Sequence, residues 1–353
     1  LMSSGAWASV IGTVRGEPAD RMNRMLDRVA AQQAAGPVEV LLAVPPEERA
    51  VVDALRPSGA VERIIAVENA GGARSAGLNR AAEQATAPIL HRVDARSLLA
   101  PDHLMRCDAR LRFDSRVGVV GGRQRPVSVA DGTWAHGMAR ALANPLALGA
   151  PAYRRPGPGG PTDTVYLGAF WRTELLELGG YDERLEANED FDLCQRFRAT
   201  GKVVWLEDGV VVDYEARDDV LDIWRQYTAF GRAKVRYWRL RGARPNARQV
   251  GGLLAPVTVA VATAALVRRP RDCLALAGLG AVALGAVDHV GGEGSASLGV
   301  RTAAAVGEVL IPTAWATGAY LEAGEALRDW GLNRRLARTT AVAALQATAS
   351  ARR

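Results

Sequence analysis

Short apolar runs alternate with amphipathic stretches through residues 1–249. Trp7–Val14, Val38–Val44, Ile64–Val67, Ile89–Val93 and Val117–Gly121 are brief, rich in β-branched residues and bounded by polar or Gly/Pro positions, which predicts buried strands. Asp20–Gln33 sets Met22, Met25, Leu26 and Val29 on one face at helical spacing, and Asn79–Gln84 continues a second helical pattern after a Gly-rich turn. This alternation predicts an α/β domain around a largely parallel sheet. Residues 145–163 are rich in Pro and Gly and predict a long loop. Beyond it the pattern predicts a strand at Thr164–Phe170 and helices at Arg172–Leu178 and Asp190–Thr200. A hairpin-like pair, Val203–Leu206 and Val210–Tyr214, follows.

Near residue 250 the pattern changes. Val250–Val267 runs 18 residues without a charge and Cys273–Val287 another 15, with RRPRD between them. The first reaches the threshold length of a membrane span and the second falls short. A third apolar helix is expected at roughly Ala303–Tyr320, carrying Glu308 and Pro312. Two simple spans would put RRPRD outside, against the positive-inside tendency, so a shallow hairpin or interface-lying helices suit it better. A soluble Ala-rich helical domain is the rival. Residues 224–248 carry eight cations and no acid, interleaved with Trp224, Tyr227, Phe230, Tyr237 and Trp238. Aromatics with arginines ahead of apolar helices suit the headgroup layer of an anionic leaflet, so membrane lipids are expected as partners. The apolar neighbours favour this over nucleic-acid binding, and no nucleic-acid partner is expected. Three parts are therefore expected: a catalytic domain at 1–217, a basic and aromatic interface region at 218–249, and membrane-associated helices at 250–353.

Composition narrows the classes. With 48% hydrophobic and 23% charged residues among 353, the chain is neither disordered, collagen-like nor a disulfide scaffold. The formal charge is +6, but 42 of the 44 cations are arginine, a bias a GC-rich genome also produces. Cys107, Cys194 and Cys273 share no metal-ligand or disulfide spacing, which suits a reducing compartment. LMSSGAWASVIGTVRGE has no basic stretch before its apolar run, so no secretory signal is expected. Catalysis is expected at the cytoplasmic face.

Three constellations carry candidate chemistry. In residues 68–97, Gly71 and Gly72 open a turn, Arg74 and Asn79 stand near a helix start, and the strand Ile89–Val93 delivers Asp94. Open α/β sheets bind ligands at such strand ends. Asp94 suits a divalent cation on a diphosphate, with Arg74 and Arg96 adding charge for phosphates; a capping Asp paired with Arg96 is the structural alternative. In NEDFDLCQRFRATG, Glu189 and Asp190 stand at a helix N-terminus, which keeps a carboxylate deprotonated and suits a general base; an ordinary N-cap is the alternative. In WRQYTAFGRAK, Arg225 and Gln226 stand either at the mouth of a site or on an amphipathic helix.

The order of these segments resembles the family 2 glycosyltransferases, most of all the succinoglycan-type branch. VDAR, GGYDERL, NEDFDL and R-Q-Y-x-x-x-G-R recur in that order, and the likeness spans about residues 7–240. The resemblance implies a GT-A fold, α/β with a mostly parallel sheet, followed by the apolar C-terminal helices. It implies inverting transfer of a sugar from a nucleotide-sugar donor to a lipid-linked or glycan acceptor, with Mg²⁺ or Mn²⁺ as cofactor. Asp94 then falls on the D-x-D-type position at the metal and diphosphate. Asp190 falls on the general base, and Glu189 shapes the site. Arg15 and Glu17 match the nucleotide-contacting loop, Arg74 and Asn79 the basic and amide positions ahead of Asp94, and Arg225 and Gln226 the acceptor side.

Three positions depart from that pattern. The first loop reads Val14-Arg15-Gly16-Glu17, without the family's Asn, and no acid follows the second strand, which ends LLAVPPEER. Arg96 replaces the second acid of D-x-D, which implies reduced dependence on metal. These departures also motivate a rival reading as a catalytically degenerate, membrane-bound scaffold subunit. A dinucleotide oxidoreductase is excluded because GTVRGEP lacks G-x-G-x-x-G.

Overall fold

The computed structural model describes residues 5–144, 151–268 and 296–350. The first half runs β1 (Ala8–Thr13), α1 (Ala19–Ala30), β2 (Val38–Val44), α2 (Arg49–Asp53), β3 (Val61–Glu68), α3 (Arg74–Gln84) and β4 (Ile89–Arg92). Next come β5 (Ser97–Leu98), α4 (His103–Phe113), β6 (Val117–Val127), α5 (Thr133–Ala143), β7 (Gly160–Thr162), β8 (Tyr166–Trp171) and α6 (Arg172–Glu177). Then follow α7 (Glu189–Ala199), β9 (Val203–Glu215), α8 (Val220–Arg241), α9 (Ala247–Leu253), α10 (Ala255–Arg268) and α11 (Leu298–Ser350).

The strands form one sheet in the order β3-β2-β1-β4-β8-β6-β9-β5, with β7 paired to β9. β3, β2, β1 and β4 are mutually parallel, and so are β6 and β9. β8 runs antiparallel between β4 and β6. Alternate residues of a strand face opposite sides, so each strand feeds two cores. Val10 and Leu42 pack with Met22, Met25 and Val29 of α1, while Ile11 and Leu41 pack with Leu78 of α3 and Phe197 of α7. Helices therefore cover both faces, and the C-terminal ends of β1 and β4 open at one edge.

The second helical pattern, which Asn79–Gln84 continues, runs from Arg74 to Gln84. One expectation changes here. The hairpin expected at 203–214 is a single bent strand: Leu206 pairs with Gly121 and Val211 with Arg123, both in the parallel sense. Residues 207–210 loop out and Gly209, at φ 74°, lets the strand resume its direction. Polar residues between two apolar runs look alike in a turn and in such a bulge.

The C-terminal region departs further from expectation. Among the described residues no helix is long and apolar enough to cross a membrane. Val250–Val267 is divided between α9 and α10, and Cys273–Val287 lies outside the described residues. Ala303–Tyr320 is part of α11, which packs along α5 and α8. Ile311, Ala314 and Tyr227 join Met138 and Leu142 in a third core. A Cβ on Gly231 of α8 or on Gly318 of α11 would overlap the facing backbone carbonyl, so the two helices touch main chain to main chain. An apolar run reports burial but not against what; here much of it is buried against protein. Several arginines of 224–248 are likewise in ion pairs, Arg232 with Glu325 at 2.9 Å and Arg236 with Glu322 at 3.0 Å.

Candidate active site

A cleft of about 1370 Å³ opens over the C-terminal ends of β1 and β4 and runs under α8 to α9–α11. One end holds Arg15 and Glu17 from the loop after β1, Gly71, Gly72 and Arg74 before and at the start of α3, and Asp94 and Arg96 after β4. Its middle holds Glu189 and Asp190, and its far end Arg225, Gln226, Phe230 and Trp315. Every site residue expected from the sequence lines it except Asn79.

Asn79 does something else. Its side-chain amide donates to the Tyr181 carbonyl at 3.0 Å and to Glu183 at 3.0 Å, and its oxygen accepts from the Tyr181 N–H at 2.7 Å. It clamps the GGYDE turn to α3 and does not line the cleft.

The centre of the cleft is an ion-pair network built around a residue the sequence reading missed. Arg92, at the end of β4, is 4% exposed. Its guanidinium donates to Asp94 Oδ1 at 3.2 Å and to Glu189 Oε1 at 2.9 Å. Arg74 reaches Glu189 at 3.7 Å. Removing one partner from such a buried set is costly because it strands a charge. Burial pushes the Asp94 carboxyl up, but the charges of Arg92 and Arg74 outweigh it and hold the group below its ordinary range. For Glu189 burial wins: it lies above the ordinary range, raised further by Asp190 and opposed by Arg92 and Arg74. The one signal in the sequence was a charge inside the apolar strand ILHRV.

Asp190 stands in the first turn of α7, half-buried, accepting the Phe191 N–H at 2.7 Å. Asn188 before it is left-handed, at φ 65° and ψ 15°, a conformation Asn tolerates better than most residues. That twist turns the chain so that Glu189 points inward to Arg92 while Asp190 borders the cleft. Lys234 of α8 donates to Asn188 Oδ1 at 3.3 Å and lies 4.0 Å from the Phe191 ring centroid. α8 therefore touches the segment that presents Asp190.

Glu17 pairs with Arg21 at 2.5 Å, and Arg15, exposed at the rim, donates to the Gly72 carbonyl at 3.5 Å. Arg96 donates to the Glu215 carbonyl at 3.4 Å. Its guanidinium is held below its ordinary range, by burial first and then by the charges of Arg217 and Arg21. Gln226 donates to the Tyr214 hydroxyl at 3.3 Å, and Arg225 is 3.4 Å from Asp222 and mostly exposed.

Among the described residues no three His, Cys, Asp or Glu side chains cluster as metal ligands. Asp94 is a single carboxylate with one oxygen engaged by Arg92. That suits a cation held mainly by ligand phosphates and water, with one protein carboxylate.

No protein-family model matches the chain. It is 27% identical over 191 residues to the succinoglycan biosynthesis protein ExoA of Rhizobium meliloti (strain 1021), covering 53% of this chain. The match spans 57% of that relative's length. The fold is similar to that of the mannosyltransferase PcManGT from Pyrobaculum calidifontis, solved in complex with GDP-Man and Mn²⁺. The TM-score is 0.55 at 19% identity, over 89% of this chain and 88% of that one. In its ordered motifs and its GT-A fold the chain is therefore similar to known glycosyltransferases.

Proposed function

We propose that the protein is an inverting glycosyltransferase that moves a sugar from a nucleotide-sugar to a lipid-linked or cell-surface glycan acceptor. The observation that carries this is the joining of Asp94, Arg92, Glu189 and Asp190 in one cleft with two ends. Arg15, Glu17 and Arg74 line the donor end, and Arg225, Gln226, Phe230 and Trp315 the acceptor end.

Asp190 takes the proton of the acceptor hydroxyl as its oxygen attacks the anomeric carbon. The bond from that carbon to the diphosphate oxygen breaks on the opposite side, its electron pair leaves with the nucleotide, and the configuration inverts. Glu189 and Arg92 lock the first turn of α7 so that Asp190 meets the cleft at a fixed angle. Arg74 adds positive charge where the leaving diphosphate gathers negative charge. A divalent cation, Mg²⁺ or Mn²⁺, would sit between Asp94 and the donor phosphates, neutralising the leaving group; Mn²⁺ accompanies GDP-Man in the structural neighbour.

The far end of the cleft mixes aromatic and cationic groups, as an amphiphilic acceptor with an anionic head requires. Val250, Leu254, Val257 and Val261 are exposed along α9 and α10 next to it. They support a location at the cytoplasmic face of the cell membrane, which flotation with anionic vesicles would test. The catalytic test is Asp190→Asn. It is expected to abolish sugar transfer while nucleotide affinity stays within a few-fold of wild type. Transfer that persists at a comparable rate would remove Asp190 from its role.

A further inference from the structure

Three guanidinium nitrogens in the cleft are used by nothing else in the described residues. Arg92 Nη1, Arg96 Nε and Arg217 Nε are all buried without an acceptor, and all three residues line the same cavity. Buried donors in native proteins are nearly always paired, and an unpaired charged one is the costlier kind. Arg92 is a fixed part of the ion-pair centre; Arg96 and Arg217 are not. Arg96 has no carboxylate within ion-pair distance among the described residues, and the nearest to Arg217 is Asp222 at 3.7 Å. Arg21, which also faces Arg96, differs: its charge is met by Glu17 at 2.5 Å and Glu215 at 3.3 Å. Around the cleft as described, cationic side chains outnumber carboxylates ten to seven.

The position of this surplus charge says what it is for. Arg96 lies two residues beyond Asp94, and Glu17 of the first loop is among the charges it feels, so the seat is at the donor end. Arg96 is also held firmly, because its carbonyl accepts the Glu215 N–H at 2.8 Å where β5 pairs with β9. A carboxylate at position 96 would repel a diphosphate and require a cation between them. An arginine reverses the sign and binds phosphate oxygens directly, two at a time.

We propose that Arg96 and Arg217 form a guanidinium seat for the diphosphate of the nucleotide-sugar, so that donor binding persists without a divalent cation. This rests on the glycosyltransferase reading above. When the anomeric C–O bond breaks, the electron pair moves onto the phosphate oxygen, and both guanidinium groups already face that growing charge. The mutual repulsion of Arg96, Arg217 and Arg21 in the empty cleft is relieved by the incoming dianion.

The test is calorimetric titration of the full chain with UDP, GDP and dTDP, each in Mn²⁺ and in EDTA. The uncharged nucleosides serve as controls. Wild-type affinity for the nucleotide that binds is expected to fall less than ~10-fold on chelation, since charge-assisted hydrogen bonds carry it. Arg96→Gln and Arg217→Gln are each expected to weaken binding in EDTA by about 10–100-fold, with melting temperatures near wild type. Arg96→Asp should make binding depend on Mn²⁺. Wild-type binding that collapses in EDTA, with both glutamine variants equal to wild type in Mn²⁺, would overturn the seat while leaving the transferase intact. Binding of no nucleotide in either buffer, by protein shown to be folded, would overturn the donor reading beneath it.

Discussion

Replacing Gly231 with alanine would drive a methyl group into the backbone of the neighbouring helix. The new Cβ would overlap the Trp315 carbonyl oxygen and lie 2.9 Å from the Ala319 nitrogen, whereas unstrained contacts lie at about 3.5–4.0 Å. Neither atom can swing aside, because both are main chain. α8 and α11 would have to part by roughly an ångström, and a gap of that size forfeits about half of each dispersion contact across it. Tyr227, Ile223, Ile311 and Ala314 all lie in that interface and are almost wholly buried. Overpacking with this loss of contact is expected to cost on the order of 2–4 kcal/mol. In a thermal melt that is a fall of roughly 3–5 °C for a chain of this size. Gly251→Ala supplies the control: it too sits in a helix, but its added Cβ would meet nothing within 4 Å. That variant should melt at or slightly above wild type, since alanine is the better helix former. If Gly231→Ala melts with the control, α8 and α11 do not meet main chain to main chain and the packing argument fails.

His91 and His103 are fully buried with no hydrogen-bond partner for either ring nitrogen, and burial lowers them from 6.5 to about 3 and about 4. Their unfolded forms take protons first, so stability present above pH 6.5 should be lost as the pH falls, by about 2 kcal/mol per histidine between pH 6.5 and 5. Denaturant midpoints measured across that window check it; a flat profile would show the pair to be solvated. Asn79→Ala removes three hydrogen bonds from the GGYDE turn and should cost about 1–3 kcal/mol while leaving nucleotide affinity within twofold. A selective loss of nucleotide affinity would put Asn79 back in the donor site. Asp94→Asn should weaken nucleotide binding in Mn²⁺ and leave it unchanged in EDTA; equal loss in both buffers would deny Asp94 a part in holding metal. Burial raises the Cys107 thiol beyond the ordinary range and the Cys194 thiol to about 12, so neither should react with an aqueous thiol reagent until the protein unfolds.

Much of the donor half was legible because its strands have no other way to be written. Val38–Val44 is buried on both faces, and its expected bounds coincide with those of β2. α1 likewise buries Met22, Met25, Leu26 and Val29, the stripe its spacing announces. That Asp94, Glu189 and Asp190 would meet in one cleft was legible because carboxylates at a strand end and a helix start have few reasons to be there. Arg92 was not, since its role depends on Glu189, 97 positions away, turning inward to meet it. The turn that Asn79 holds was hidden for the opposite reason: an amide near a site reads the same whether it holds a ligand or a turn. The packing of Ala303–Tyr320 against α5 and α8 was not legible, because glycine and alanine stripes serve protein–protein and lipid packing alike. Only tertiary contact tells them apart.

The cleft is walled by two different stretches of chain. Its donor end comes from the loops after β1 and β4 and the start of α3, its far end from α8 through α11. Asn188, gripped by Lys234, is a joint between them. On the proposed function, donor choice and acceptor choice are therefore separable along the sequence. Grafting residues 220 onward onto a sister enzyme's first 219 should transplant the acceptor while keeping the sugar, provided the Lys234–Asn188 pair travels intact. On that reading one substrate preference can change at a time without rebuilding the turn that presents Asp190.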